Sequence, residues 1–315
     1  MELVALQWVA TLWSAARARG MLGAMTSPPR SKARRVRLAA IALCTALAAT
    51  RSPAAPAHTP PAAYEIFALR YATVPQFPIH ELVAGADTTR KLDIAMMFWL
   101  LEGPAGRRVL VDAGFYRQKF LDSWKPADFM RPCDVVQGFG VPPDSITDII
   151  ISHVHWDHLD GADLFPKANV WIQRAEYEYY VSAEGTPLHP AIDSLDAAML
   201  LSISKAGRLK LVEGDAQQVL PGITAYLGGK HTYASQYLAV RMAKGTAVVA
   251  SDNIYLYENL ERHLAIAQTL DAKSNLAAQD RIKRLASNPR LIVPGHDPAV
   301  FTRFKPAGPR AAKIE

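Results

Sequence analysis

Cysteine is nearly absent: two occur in 315 residues, Cys44 and Cys133. Cys44 falls in an N-terminal stretch patterned like a removable leader, so the rest of the chain has one thiol and no internal disulfide. Cys133 reads as a small apolar packing residue. Long apolar runs are missing as well. The one in the leader, residues 38–49, is twelve residues long, whereas a membrane span needs ~20. There is no G-x-S-x-G elbow, which leaves out the serine nucleophile of that motif, and no repeat of fixed period. A basic surplus is missing outside the leader. Residues 1–57 hold eight Lys/Arg and one Glu, a net +7 against +6 for the whole chain, so the remainder carries about −1. The pI of 9.3 therefore belongs mainly to the leader. A nucleic-acid partner would need a basic stripe, and none is expected.

Within that first stretch Arg30, Lys32, Arg34, Arg35 and Arg37 precede the apolar run, and Ala55-Pro56-Ala57 follows it. This order of charge, apolar segment and A-x-A predicts a secretory signal and a periplasmic or secreted protein. Met25 is an alternative start. The Arg34-Arg35 pair leaves a twin-arginine route open beside the general one. The chain divides into a leader at 1–57, a Pro/Ala-rich linker at 58–63 and one domain at 64–315.

In that domain "YEIFALRYA", "DIAMMFWLLEG" and "RRVLVDAGF" read as early strands, and "FLDSWKPADFM" as loop and short helix. The β-branched run at 147–152, "NVWIQ", "ITAYLGG", "QYLAVRMA", "TAVVASD" and "RLIVPGHD" read as further strands. Residues 191–206 and most of 258–286 read as helix. Strands in two blocks, each followed by helices, predict two sheets covered on their outer faces.

What the chain does have is a concentration of metal-binding side chains. "HVHWDH", residues 153–158, holds three of the nine histidines and an aspartate in six positions. It follows a strand and should enter a loop, unlike HExxH, which works on one helix face. His153 and His155 would point the same way, with Asp157 and His158 following as the chain turns. His231, Asp252 and His296 each lie just beyond an apolar strand. A solitary histidine is more often a surface or satisfied core residue, and that reading stands for His58, His80, His189 and His263. A solvated loop has no need for the ligand density of HVHWDH.

The order HxHxDH, His, Asp, GHD resembles the metallo-β-lactamase superfamily, over about residues 64–305. "VLVDAGF" resembles its early Asp-x-Gly strand, here Asp112 and Gly114. The resemblance implies an α/β, four-layer αββα sandwich with a binuclear metal site at one edge of the sheets. In it His153, His155 and His231 would hold one ion and Asp157, His158 and His296 a second, with Asp252 bridging. Asp112 would orient ligands by hydrogen bonds. A nitrogen and oxygen donor set points to two divalent ions, zinc first, with iron, manganese or cobalt as alternatives. Two such cations flanking one water give hydroxide near neutral pH, so hydrolysis is the implied chemistry.

A bridging Asp252 separates the chain from the β-lactamase branches and groups it with thioesterases, phosphotriesterases and lactonases. "ASDNIYLYENLE" and "VPGHDP" resemble the N-acyl homoserine lactone lactonases. There a tyrosine at the spacing of Tyr255 contacts the substrate carbonyl. The expected function is thus opening of a lactone ring, with Asp157 and Tyr255 as catalytic residues and a small molecule as substrate. A thioesterase or phosphotriesterase is the alternative, and a metal store or redox diiron protein a third class. The chain departs from the common His-Thr-Pro-Gly, carrying His231-Thr232-Tyr233-Ala234 after Lys230. Sequence leaves open whether "FLDSWKPADFM" lines an acyl pocket or only packs.

Overall fold

The computed structural model describes residues 62–315; the leader and most of the linker expected from sequence, with His58, lie outside them. From the N-terminus run strands β1 (Glu65–Pro78), β2 (Lys91–Glu102) and β3 (Arg108–Val111), then helices α1 (Gln118–Trp124) and α2 (Pro132–Gly138). Next come β4 (Asp148–Ile150), α3 (Trp156–Leu159), β5 (Asn169–Gln173), α4 (Arg174–Tyr180), α5 (Ser194–Lys205) and β6 (Leu209–Val212). A meander of β7 (Gln217–Leu220), β8 (Ile223–Leu227), β9 (Gln236–Met242) and β10 (Gly245–Ser251) follows. The chain ends with α6 (Tyr257–Arg262), α7 (Ala272–Leu285), β11 (Ile292–Pro294), α8 (Val300–Arg303), β12 (Lys305–Gly308) and β13 (Ala311–Ile314).

These strands form two sheets, of order β12-β13-β1-β2-β3-β4-β5-β6 and β11-β10-β9-β8-β7. In β1 and β2 both faces are buried, and alternate residues serve different cores, as the two-residue period of a strand requires. Ile66, Ala68, Met97, Trp99 and Leu101 meet Ile223, Leu238, Val240, Val249 and Val293 between the sheets. Their neighbours Phe67, Leu69, Met96, Phe98 and Leu100 face outward onto Val135, Val136, Ala197 and Leu200 of α2 and α5. On the far side Tyr237, Val248 and Ala250 pack against Ala278 and Ile282 of α7. The layers are therefore helix, sheet, sheet, helix: the αββα sandwich expected.

Side-chain capping sets two helix starts. Asp193 accepts from Leu195 N–H at 2.9 Å at the head of α5, and Asp271 from Ser274 N–H at 3.2 Å at the head of α7, each satisfying a donor that the helix cannot.

Three points refine the local expectations. Residues 258–286 are mostly helical, as expected, but in two pieces: α6 ends at Arg262, where His263 takes a left-handed φ of 52°, and a loop at 264–271 precedes α7. The carbonyls of Leu264 and Ala265 in that loop are tied by Asn259, which terminates α6. Second, HVHWDH does not stay in a loop, since Asp157 and His158 sit on the single turn α3. Third, a hairpin that the sequence reading does not include follows the strand ending in GHD: β12–β13 pairs Ala311–Ile314 with Ile66–Leu69 of β1, and its two four-residue strands, the first carrying Pro and Gly, have no strand pattern. β6 and β7 were likewise absent from the sequence reading.

Candidate metal centre

Strands β3, β4 and β5 run parallel, as do β10 and β11. Their C-terminal ends consequently open on one edge of the sandwich, and four of the five deliver a polar residue there. Asp112 follows β3, His153 follows β4, Asp252 follows β10 and His296 follows β11, while His231 comes four residues after β8. All seven residues named as ligands from sequence converge in two groups. His153, His155, His231 and Asp252 form one, and Asp157, His158 and His296 the other; in each, the ligand atoms lie within 4.8 Å of one another.

In the first group His153 Nε2, His155 Nδ1 and His231 Nε2 form a triangle with sides of 3.0, 3.1 and 2.9 Å. Burial is the main cause holding all three imidazoles below their ordinary pKa, His155 down to about 3. Burial thus favours their neutral forms, whose ring nitrogens crowd together with lone pairs available. A cation relieves that arrangement: tetrahedral zinc with ~2.0–2.1 Å bonds sets its nitrogens roughly 3.3 Å apart. Asp252 lies between the groups. Its Oδ2 is 3.6 Å from His153 Nε2, 3.4 Å from His231 Nε2 and 3.3 Å from His158 Nε2. Its Oδ1 is 3.1 Å from His296 Nε2. Asp157 Oδ2 stands 3.4 Å from His158 Nε2 and 3.6 Å from His296 Nε2.

Burial alone would raise the Asp252 carboxyl, but the His158 and His296 imidazoles hold it well below the usual carboxylate range. Asp157 is likewise lowered against its burial, chiefly by His158. Conversely, burial would lower His158 and His296, and the Asp252 carboxylate raises both. Positive charge is thus what this second group calls for. His158 Nε2 and Asp252 Oδ1 are buried and lack hydrogen-bond partners, which is costly unless a cation completes them. The donor set fits a pair of divalent metal ions.

A second layer of hydrogen bonds sets the imidazole faces. His231 Nδ1 donates to Gln268 O at 2.8 Å and His296 Nδ1 to Ala95 O at 3.1 Å. His153 Nδ1 lies 2.9 Å from Ser152 Oγ, and His158 Nδ1 2.8 Å from Asp112 Oδ2. With Nδ1 so occupied, these four present Nε2 inward. Asp112 is fully buried and also accepts from Ser152 N–H at 2.7 Å and the Ser152 and Ser251 hydroxyls at 2.9 and 3.0 Å. Asp112 and Ser251 adopt left-handed φ values of 63° and 45°, strain of the kind that functional sites hold. Gly295 is needed for a different reason, because a Cβ there would collide with Asp252 Oδ1.

Tyr255 stands beside the two groups, its ring centroid 5.5 Å from that of His231 and 5.8 Å from that of His296. Its hydroxyl is 3.3 Å from His231 Nδ1. Burial first, then the Asp252 carboxylate, pushes the phenol well above its ordinary pKa, so it remains a hydrogen-bond donor. The histidines set aside from sequence stay apart: His80 lies against Glu81, His263 against Asp280, and His189 stacks on Tyr179. Lys230 is spent on the Tyr233 ring, 5.3 Å from its centroid. Sequence reasoning missed Ser152, Ser251, Gln268 and Glu176. Only Ser152, which adjoins the motif, had any signal.

The profile of the metallo-beta-lactamase superfamily matches residues 97–296, from the middle of β2 to the last histidine of the cluster. The chain belongs to that superfamily, and its site is that of a metal-dependent hydrolase. Among curated relatives, an N-acyl homoserine lactonase of Bacillus sp is 28% identical over 221 residues, 65% of this chain and 82% of the relative. Among solved structures, an N-acyl homoserine lactone hydrolase with N-hexanoyl-L-homoserine at its catalytic metal centre superposes with a TM-score of 0.63 at 20% identity. That match covers 77% of this chain and 97% of the other. AidC, a dizinc quorum-quenching lactonase, gives 0.56 at 17% identity, covering 75% and 91%.

Proposed function

We propose that the protein opens lactone rings, with N-acyl homoserine lactones as the substrate class and two zinc ions as the native metals. The observation that carries this is Asp252, whose carboxylate lies within 3.6 Å of imidazole nitrogens from both ligand groups, beside the protonated phenol of Tyr255. Curated relatives named as N-acyl homoserine lactonases support the choice of substrate. Two bound dications would supply hydroxide at neutral pH and neutralise charge on oxygen.

The chain's own residues then have separable tasks. Tyr255 donates a hydrogen bond to the carbonyl oxygen as negative charge develops there. Asp157, whose side chain retains 14% exposure, takes the proton released on attack and returns it to the leaving alkoxide. The ring C–O bond breaks, and the products are a carboxylate and an alcohol.

An aromatic wall beside the ligands suits an acyl chain. Trp156, between His155 and Asp157, packs on Phe115, Phe120 and Trp124 at centroid distances of 4.6, 4.7 and 5.1 Å. Trp124 and Met130 keep 38% and 37% exposure, leaving apolar surface for a ligand. In this reading the segment "FLDSWKPADFM", which packs on Trp156 through Phe120 and Trp124, lines the acyl pocket.

We assign the leader pattern at 1–57 to export, testable by recovering mature protein from the periplasm or medium and sequencing its N-terminus. The catalytic reading is tested with purified protein on lactones, thioesters, phosphotriesters and β-lactams, before and after metal removal with EDTA and zinc return. Acyl homoserine lactones should be turned over fastest, with activity lost on chelation and restored by zinc. Lactone turnover no faster than that of the EDTA-treated enzyme would overturn the proposal.

A further inference from the structure

Glu176, in the first turn of α4, is fully buried. It has no basic partner among the described residues; what surrounds its carboxylate is three hydrogen-bond donors. Oε1 accepts from Val154 N–H at 3.2 Å and from the Thr232 hydroxyl, and Oε2 from Ala234 N–H at 2.6 Å. Val154 lies between His153 and His155, and Thr232 follows His231. One side chain thus ties both segments that carry the three facing nitrogens.

The chemistry of the tie matters. Three donors converge on Glu176, and only an acceptor on both oxygens satisfies them. A glutamine would set its NH2 against at least one of those donors. Burying a carboxylate with no cation to pair it is costly, and a neutral link would join the loops without that cost. In the second group, Asp157, His158 and His296 make no hydrogen bond to Glu176; His158 is held instead by Asp112 and His296 by Ala95 O.

We propose that Glu176 is the positioning residue of the three-histidine group, fixing segments 153–155 and 231–234 at the spacing that accepts a cation. It governs affinity for one of the two metal ions and leaves the other alone. The inference rests on the two-ion reading of the centre but not on the identity of the substrate.

Zinc titration of apo-protein against a chromophoric chelator tests it, for the wild type and for Glu176→Gln, Thr232→Val and Thr232→Ser. Wild type should bind two equivalents. Glu176→Gln should bind one with unchanged affinity and the other ~10–100-fold more weakly, the range typical for loss of a group that orients metal ligands. Thr232→Val should loosen the same equivalent by less, and Thr232→Ser, which keeps the hydroxyl, should match the wild type. In the cobalt-substituted protein, only the absorption bands of the looser ion should change. The proposal fails if Glu176→Gln binds both equivalents as tightly as the wild type, or loosens both by one common factor. Should Glu176→Gln not fold, the Thr232 pair decides, and equal zinc binding by the valine and serine variants overturns the proposal. A wild type that binds no metal overturns this inference and the two-ion reading together, whereas the lactone panel bears on the substrate alone.

Discussion

The carboxylate of Asp112 and the imidazole of His158 meet at 2.8 Å through Nδ1, leaving His158 Nε2 turned inward without a hydrogen-bond partner. Asp112 comes from the end of β3 and His158 from α3, and both serines that steady Asp112 come from other strand ends. One buried carboxylate therefore registers the two sheets and aims a ligand at once.

Asp112→Asn keeps the volume but replaces one acceptor oxygen with an NH2 facing the same donors. Metal affinity and activity are each expected to fall ~10–100-fold, as for other residues that orient ligands. Metal retained after dialysis against a graded chelator series checks this; retention equal to the wild type would refute the assigned role.

Gly295→Ala introduces a Cβ against Asp252 Oδ1. Asp252 must move, and its two-sided geometry is lost. The variant should remain folded while binding fewer than two equivalents of zinc, read by elemental analysis and circular dichroism. Full metal content with wild-type turnover would mean that Asp252 does not bridge.

Tyr255→Phe removes only the phenolic donor. Loss of an oxyanion donor typically costs ~10²–10³ in kcat, and because Tyr255 sits beside the metal cluster rather than in it, metal content should not change. Lactone kcat should drop at least ~10-fold with KM little altered. Undiminished lactone kcat would shift the substrate assignment toward a thioesterase or phosphotriesterase.

Asp196 tests electrostatics away from the metals. It is fully buried with Asp160, and both face Arg117. Burial, then the Asp160 carboxylate, pushes Asp196 up to about 8 from 3.8. A raised folded pKa contributes stability that is complete below 3.8 and is lost as pH rises through about 8. Asp196→Asn should resemble the wild type in denaturant midpoint below pH 3.8, already exceed it at pH 6, and exceed it most above about pH 8. Parallel midpoint curves across that range would contradict the assignment.

The seven side chains that could hold metal were legible because ligation needs particular side chains at particular strand exits. HVHWDH cannot be mistaken for an ordinary solvated loop, and His231, Asp252 and His296 each follow an apolar strand. The early strands were legible from β-branched and aromatic runs. Less visible were β6, β7 and the β12–β13 hairpin, since short edge strands draw their identity from the neighbours they pair with. The break at His263 was hidden for a similar reason: the loop at 264–271 is held by Asn259 and by contacts to His231, not by local helix breakers.

By itself the sequence determined which atoms are available to bind metal, that no cysteine or serine elbow competes with them, and that alternating apolar strands must build a layered core. Only the tertiary structure decided which groups hold those atoms in place. Glu176, Ser152, Ser251 and Gln268 act through distances between segments remote in the chain, and such distances exist only once the two sheets have packed. Chemical identity is a local property of a residue, whereas the direction in which a lone pair points is set by everything around it.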